Sequence, residues 1–260
     1  MNSFKILQNY IDYLMDSDNT LLIVKSRGGL GKTHTVLETL KHRNMKLDID
    51  YAYLSGYVTP LECFNFLLNN QNKLIVLDDL EGLLSEKKNL GLIKSATFPT
   101  IEGKRVVQYQ SSKMNATDSL FICNSKFILL CNDTPKGANF NAIKNRGIYY
   151  DLKPINEEVF EQIIKIPNYD LTLVKYMRNM LKQHNPVDFR MYFQSVGIKK
   201  AFPDTWKLLV LPILRVKSKH SFIRKLLDSG KSVNRQINEY QASGFSRMTY
   251  FRHKKEVLAE

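Results

Sequence analysis

One stretch of eight residues limits this chain more than any other: Ser26-Arg27-Gly28-Gly29-Leu30-Gly31-Lys32-Thr33. It follows an apolar run, Leu21-Leu22-Ile23-Val24, and leads into a helical pattern from His34 to Lys41. A glycine-rich turn between strand and helix can wrap its backbone N–H groups closely around an anion, because no Cβ stands in the way. The N-terminus of the following helix adds its own unpaired N–H groups and partial positive charge. Gly28, Gly29, Leu30 and Gly31, with the first helical residues Lys32, Thr33 and His34, form such a cradle for phosphate. Lys32 would reach the β- and γ-phosphates of a nucleotide, and Thr33 would place its hydroxyl on Mg²⁺. The pattern G-x-x-x-x-G-K-[ST] is met except at its leading glycine, which is Ser26 here. A chance glycine-rich turn is the competing reading, and the strand before and helix after it argue against that.

A second signal lies one strand–helix–strand unit downstream. Leu74-Ile75-Val76-Leu77-Asp78-Asp79 is an apolar strand ending in two carboxylates. The C-terminal ends of central parallel strands lie beside bound phosphates. There Asp78 would hold the water shell of a metal ion and Asp79 would polarise an attacking water. Further runs at Tyr51–Leu54, Phe127–Leu130 and Gly147–Tyr150 read as strands with helical patterns between them, which predicts a parallel sheet covered on both faces. Lys104 to Gln110 reads as an extra strand or hairpin before the fourth run. Beyond Pro154 the pattern becomes helical, at Asn156–Lys165, Leu171–Gln183, Pro186–Lys200 and Asp204–Val216, punctuated by prolines. A polar joint, Lys217-Ser218-Lys219-His220, then enters a basic tail. The expected organisation is an α/β nucleotide-binding domain at 1–153, a helical lid at 154–216 and a helical module at 217–260.

Composition narrows the class. The 260 residues are 43% hydrophobic, enough for a core, and the longest nearly pure apolar stretch, Leu208 to Leu214, is too short to span a bilayer. No basic segment leads into an apolar run at the N-terminus. A cytoplasmic protein without a membrane partner is expected. Cys63, Cys123 and Cys131 form no C-x-x-C pair and the five histidines no ligand pattern, so buried reduced thiols are expected rather than a zinc site. The net charge of +13 favours a polyanionic partner.

With these motifs in place, the chain resembles an AAA+ ATPase along nearly its whole length. The fourth strand leads through Cys131 to Asn132, where the family keeps a polar sensor that orients the hydrolytic water. Ala142-Ile143-Lys144-Asn145-Arg146-Gly147 resembles the arginine-finger box, which implies that Arg146 acts in a neighbouring subunit's site and that the protein is a homo-oligomer, ring or filament. Val187-Asp188-Phe189-Arg190 resembles the second sensor, which implies that Arg190 contacts the γ-phosphate of its own subunit. The resemblance implies ATP and Mg²⁺ as cofactors. Taken alone, Asn132 is ordinary turn chemistry, Arg146 a surface charge, and Arg190 a partner for Asp188. Two departures stand out, Ser26 in the loop and Asp79 where most of the family has Glu. Paired aspartates resemble the subgroup of bacterial replication initiators, helicase loaders and transposition ATPases. The shorter Asp79 side chain implies slow turnover, which suits a switch.

The tail from Lys217 to Glu260 holds ten Lys and Arg against four Asp and Glu, a net +6. Phe222, Ile223, Leu226 and Leu227 mark one amphipathic helix, stopped by Asp228-Ser229-Gly230. Val233, Ile237 and Tyr240 mark a second, Gly244 a turn, and Ser246 the cap of a third from Arg247 to Val257. This is similar to a helix-turn-helix module of the resolvase and replication-protein kind, with the third helix entering the major groove of duplex DNA. Arg247, Thr249 and Tyr250 are the base-edge or backbone candidates, with Arg252, Lys254 and Lys255 nearer phosphates. Met248, Phe251 and Phe245 are assigned to the core. A solvated basic bundle for subunit packing is the alternative. Lys104 and Arg105 could face a central channel and touch DNA, or protect a sheet edge.

Together these expectations describe a DNA-assembled, slow, Mg²⁺-dependent ATPase in replication initiation or helicase loading of a phage, plasmid or other mobile element, with a helicase or other replication or recombination protein as partner. A transposition target-selection ATPase uses the same chemistry. A non-hydrolysing, ATP-gated DNA-binding regulator is the alternative of another class. A motor helicase fits less well, since no second RecA-like core is evident.

Overall fold

The computed structural model describes residues 2–79, 86–99, 102–110, 119–134, 138–181, 186–214, 223–224, 226–242 and 246–258. The joint 217–220, Phe222, the turn glycine Gly244 and Phe245 lie outside them, as do the last residues of the helical patterns ending at 183 and 216. The chain divides into two compact units, Met1–Glu158 and Val159–Glu260.

The first unit is built on five parallel strands: β1 (Leu21–Lys25), β2 (Tyr51–Ser55), β3 (Leu74–Asp78), β6 (Phe127–Cys131) and β7 (Ile148–Asp151), in the order β2-β3-β6-β1-β7. β3 and β6 are buried along their whole length, as strands covered on both faces must be. Alternation sends Leu21 and Ile23 to one face, with Ile75, Leu77, Phe127 and Leu129. That face is covered by α3 (Pro60–Asn69), α4 (Lys87–Thr97) and α5 (Ala138–Lys144) through Phe64, Leu67, Leu90, Ile93, Phe140 and Ile143. A two-stranded antiparallel hairpin, β4 (Val106–Gln108) with β5 (Leu120–Ile122), adds Val107 and Phe121 to the same core. The sequence marks the first of these strands, while its partner was too short to read.

The other face is covered from α1 (Ser3–Asp16), which packs on β1 and on α2 (Lys32–His42). α1 precedes every element read from the sequence. Its buried Phe4, Leu7, Ile11 and Leu14 recur at helical spacing, and the Asn2 side chain caps it by accepting from Phe4 N–H at 2.9 Å. α3 starts with a complete capping box between Thr59 and Glu62, followed by Pro60. Arg105 is half-buried, and its guanidinium donates to the Ala96 carbonyl at 3.0 Å and to that of Ser125. It therefore ties the hairpin to the core and does not reach out for a polyanion, whereas Lys104 is exposed beside Glu102.

The second unit is helical. α6 (Asn156–Ile164) crosses the boundary and is followed by α7 (Leu171–Met180), α8 (Phe189–Ala201) and α9 (Trp206–Val210). Asp170 and Asp188 cap α7 and α8, accepting from Leu173 and Met191 N–H, both at 2.9 Å. Lys199 donates to both oxygens of Asp170 at 2.7 and 2.8 Å. Burial alone would raise the Asp170 carboxyl, but the Lys199 hydrogen bond, the cap and the Lys199 charge hold it below the usual range. The tail follows with α10 (Val233–Ala242) and α11 (Arg247–Leu258), which share a buried cluster with Ile223 and Leu226.

Candidate functional site

The strand registers bring the chemistry to one edge. β1 pairs Lys25 with Cys131 and β3 pairs Asp78 with Leu130, so the residues leaving the C-terminal ends of β1, β3 and β6 are neighbours. They are Ser26, Asp79 and Asn132, with α2 rising from the loop after β1.

Gly29 (φ 83°) and Gly31 (φ 78°) both take the left-handed backbone, and Gly31 forms the N-terminal boundary of α2. Ser26 does not, which explains how a serine stands in the leading position. Its N–H donates to the Cys131 carbonyl at 3.1 Å, its hydroxyl donates to the Arg27 carbonyl at 3.2 Å, and it is buried. The two positions that need glycine have it. Leu30 is buried beneath the loop, Gly28 and Thr33 are half-buried, and His34 is exposed on the first turn of α2.

Lys32 is 6% exposed, and its ammonium donates to Asn132 Oδ1 at 2.6 Å. Asn132 Nδ2 in turn donates to Asp79 Oδ1 at 2.9 Å, and that oxygen lies 4.0 Å from Lys32 Nζ. Asp79 is itself in the left-handed region at φ 51°, which turns its carboxylate away from the strand line toward Asn132. The Thr33 hydroxyl donates to Asp78 Oδ2 at 2.7 Å. The structure thus joins Lys32, Thr33, Asp78, Asp79 and Asn132 in one cluster.

Sequence reading missed Tyr53. Its hydroxyl donates to the same Asp78 Oδ2 at 2.7 Å, and burial, followed by the Asp78 hydrogen bond and charge, drives its pKa up so that it remains a donor. The signal was the register: Ser55 faces Asp78 and Tyr53 faces Val76, which places Tyr53 diagonally beside Asp78 on one face of the sheet.

The site has the composition that a magnesium–nucleoside triphosphate requires. Asp78 Oδ1 is buried without a hydrogen-bond partner, an expensive state for a carboxylate oxygen unless a cation or its water shell supplies the missing interaction. Beside it are a threonine hydroxyl, a lysine ammonium and two glycines that open the loop backbone.

Arg146 is not part of this cluster. It is exposed in the turn between α5 and β7, with its guanidinium 4.0 Å from the Phe98 ring centroid. That turn enters β7 at its N-terminus, so Arg146 and the loop after β1 lie at opposite edges of a sheet about 15 Å tall. Arg190 is exposed in the first turn of α8, two residues beyond the capping Asp188.

The tail corrects three sequence assignments. Tyr250 is fully buried and its hydroxyl donates to Gln236 Oε1 at 2.6 Å, so it is a core residue and cannot reach DNA. Met248, 85% exposed, and Phe251, 47% exposed, are on the surface and not in the core. The buried polar positions are filled by hydrogen-bonded pairs, Tyr250 with Gln236 and Tyr240 with His253 Nδ1 at 2.7 Å. Arg247, Arg252 and Lys255 are exposed. Lys254 is half-buried with its ammonium 5.9 Å from the Tyr250 ring centroid. Thr249 shares a 2.7 Å hydrogen bond with the capping Ser246.

No protein-family model matches the chain, and no curated protein matches its sequence. Solved structures do match. One is the Holliday junction branch migration motor RuvB of Thermotoga maritima, at 13% identity and TM-score 0.52 over 95% of this chain and 82% of that one. A point mutant of the same RuvB matches at 14% identity and TM-score 0.51 over the same shares. With the five-stranded parallel sheet and flanking helices, this likeness shows that the chain has the fold of these RuvB structures, an α/β architecture.

Proposed function

We propose that this chain is a Mg²⁺-dependent ATPase that assembles into a homo-oligomer on duplex DNA and acts in replication initiation or helicase loading of a mobile element. The observation that carries the reading is the cluster at the C-terminal edge of the sheet, where Lys32, Asn132 and Asp79 form one chain of contacts and Thr33 and Asp78 another. Gly28, Gly29, Leu30, Gly31 and the first N–H groups of α2, through His34, hold the phosphates of ATP. Lys32 transfers from Asn132 and Asp79 to the β- and γ-phosphate oxygens. Thr33 and Asp78 hold Mg²⁺, which when bound neutralises charge on those oxygens. Asp79 is the general base toward the attacking water, and Asn132 orients that water. Arg146 projects into the next subunit's site, and Arg190 contacts the γ-phosphate in its own. The exposed cations of α11 contact DNA. The name of the RuvB neighbour, a Holliday junction branch migration motor, supports a DNA partner.

A second reading is favoured by one feature. Asp79 engages Asn132 and approaches Lys32, and its side chain is short, which fits a nucleotide-gated regulator that binds ATP without turning it over.

ATP hydrolysis per subunit, measured against protein concentration with and without duplex DNA, tests the proposal. Turnover that climbs with concentration, rises with DNA and falls at least about tenfold in Arg146→Ala supports it. Tight ATP binding with flat, near-zero turnover would leave the regulator reading in its place.

A further inference from the structure

On α11, Tyr250, His253 and Val257 point into the tail's core. Met248, Phe251, Arg252 and Lys255 stand at i, i+3, i+4 and i+7, which places them together on the opposite face. All four are exposed, and Met248 is the second residue of the helix. Two large apolar side chains thus sit in solvent among cations. A surface built to bind protein loses charge at its centre. Here Arg252 stands one turn beyond Met248 and Lys255 one turn beyond Phe251 on the same face, the mixture suited to a polyanion that also presents apolar groups. In the major groove the one apolar group on a base edge is the C5 methyl of thymine, which aliphatic and aromatic side chains contact. A recognition helix reads base edges from its N-terminal turns, where Met248 and Phe251 lie.

We propose that Met248 and Phe251 form a thymine-reading surface, each packing on the 5-methyl groups of A·T pairs in the major groove while Arg252 and Lys255 hold the flanking phosphates. The proposal rests on the reading of the tail as a duplex-DNA binder and assigns the sequence preference to apolar contact.

The test uses the full chain and two 30-base-pair duplexes of alternating sequence, one of adenine and thymine and one with deoxyuridine at every thymine. Deoxyuridine removes only the methyl and leaves pairing intact, and thymine at every other position makes binding register immaterial. The wild type is expected to bind the thymine duplex three- to tenfold more tightly. Met248→Ala and Phe251→Ala should each reduce that ratio toward one. Arg252→Ala should weaken both duplexes alike and lower the salt dependence. Thermal unfolding of each variant controls for folding, and these exposed positions should leave it unchanged.

Equal wild-type affinity for both duplexes, with salt-dependent binding lost in Arg252→Ala, would overturn the thymine surface while leaving the DNA reading intact. A ratio that persists in both alanine variants would also overturn it, by tracing the preference to duplex shape. No salt-dependent duplex binding would remove the underlying reading, and a Met248→Ala variant that instead changed oligomeric state would identify the face as a protein contact.

Discussion

Asp78 accepts from two hydroxyls through one oxygen, Thr33 and Tyr53 both at 2.7 Å, while its other oxygen is buried without a partner. Two donors, one from α2 and one from β2, fix the carboxylate plane and hold Oδ1 in one direction. Tyr53→Phe keeps the ring and removes one donor. Its expected result is a rise of about three- to tenfold in the Mg²⁺ needed for half-maximal ATP hydrolysis, with a stability loss of about 1 kcal/mol. An unaltered Mg²⁺ requirement would reduce Tyr53 to packing. At Gly147, beside Arg146, a Cβ would lie 2.7 Å from Leu21 Cγ and 2.8 Å from its carbonyl oxygen. Backbone cannot yield there as a side-chain tip can, so Gly147→Ala should destabilise by about 1–3 kcal/mol, read as a lower urea midpoint. An unchanged midpoint would show that the turn moves freely. The loop glycines were legible because their chemistry is local. Tyr53 was not, since its role arises only when β2 pairs with β3.

Among the elements, α11 shows where pattern reading stops. Its start at Arg247 and its Ser246 cap were legible, because capping depends on residues three apart. Its inward face was not, because the tail's core is partly polar. Tyr250 and His253 are buried with partners on α10, and Met248 and Phe251 are left outside. A tyrosine with its hydroxyl satisfied serves as a core residue. Tyr250→Phe would leave Gln236 Oε1 without its donor, and unfolding of the tail should become easier by about 1–2 kcal/mol. Adding Gln236→Leu should return part of that loss. A single variant as stable as the wild type would mean that water replaces the bond. In the helical unit, the lowered pKa of Asp170 makes its contribution pH-dependent. The carboxylate stabilises the fold above its unfolded value near 3.8, and that contribution disappears as pH falls through the lower folded value. Asp170→Asn should therefore lower the melting temperature at pH 7 and make less difference at a pH well below 3.8. An equal difference at both pH values would assign the effect to packing.

At the scale of the whole molecule, the Lys32 cluster and Arg146 occupy opposite edges of one sheet. A chain so built cannot bring its own Arg146 to its own Lys32, whereas the proposed head-to-tail repeat would bring one subunit's Arg146 to the next subunit's site. The parallel sheet was legible from its apolar runs, and the sequence also placed the lysine loop and the carboxylates after their strands. α1 passed unread although Phe4, Leu7, Ile11 and Leu14 carry its period, and it closes the face opposite α3, α4 and α5. The proposed catalytic site is shared between subunits. Its most direct measurement mixes two inactive variants, Lys32→Ala, with its finger but no working loop, and Arg146→Ala, with its loop but no finger. In equal mixture on DNA, about a quarter of the interfaces pair an intact loop with an intact finger, so hydrolysis should recover toward that fraction of the wild-type rate. A mixture as inactive as its parts, beside an active wild type, would contradict the shared site.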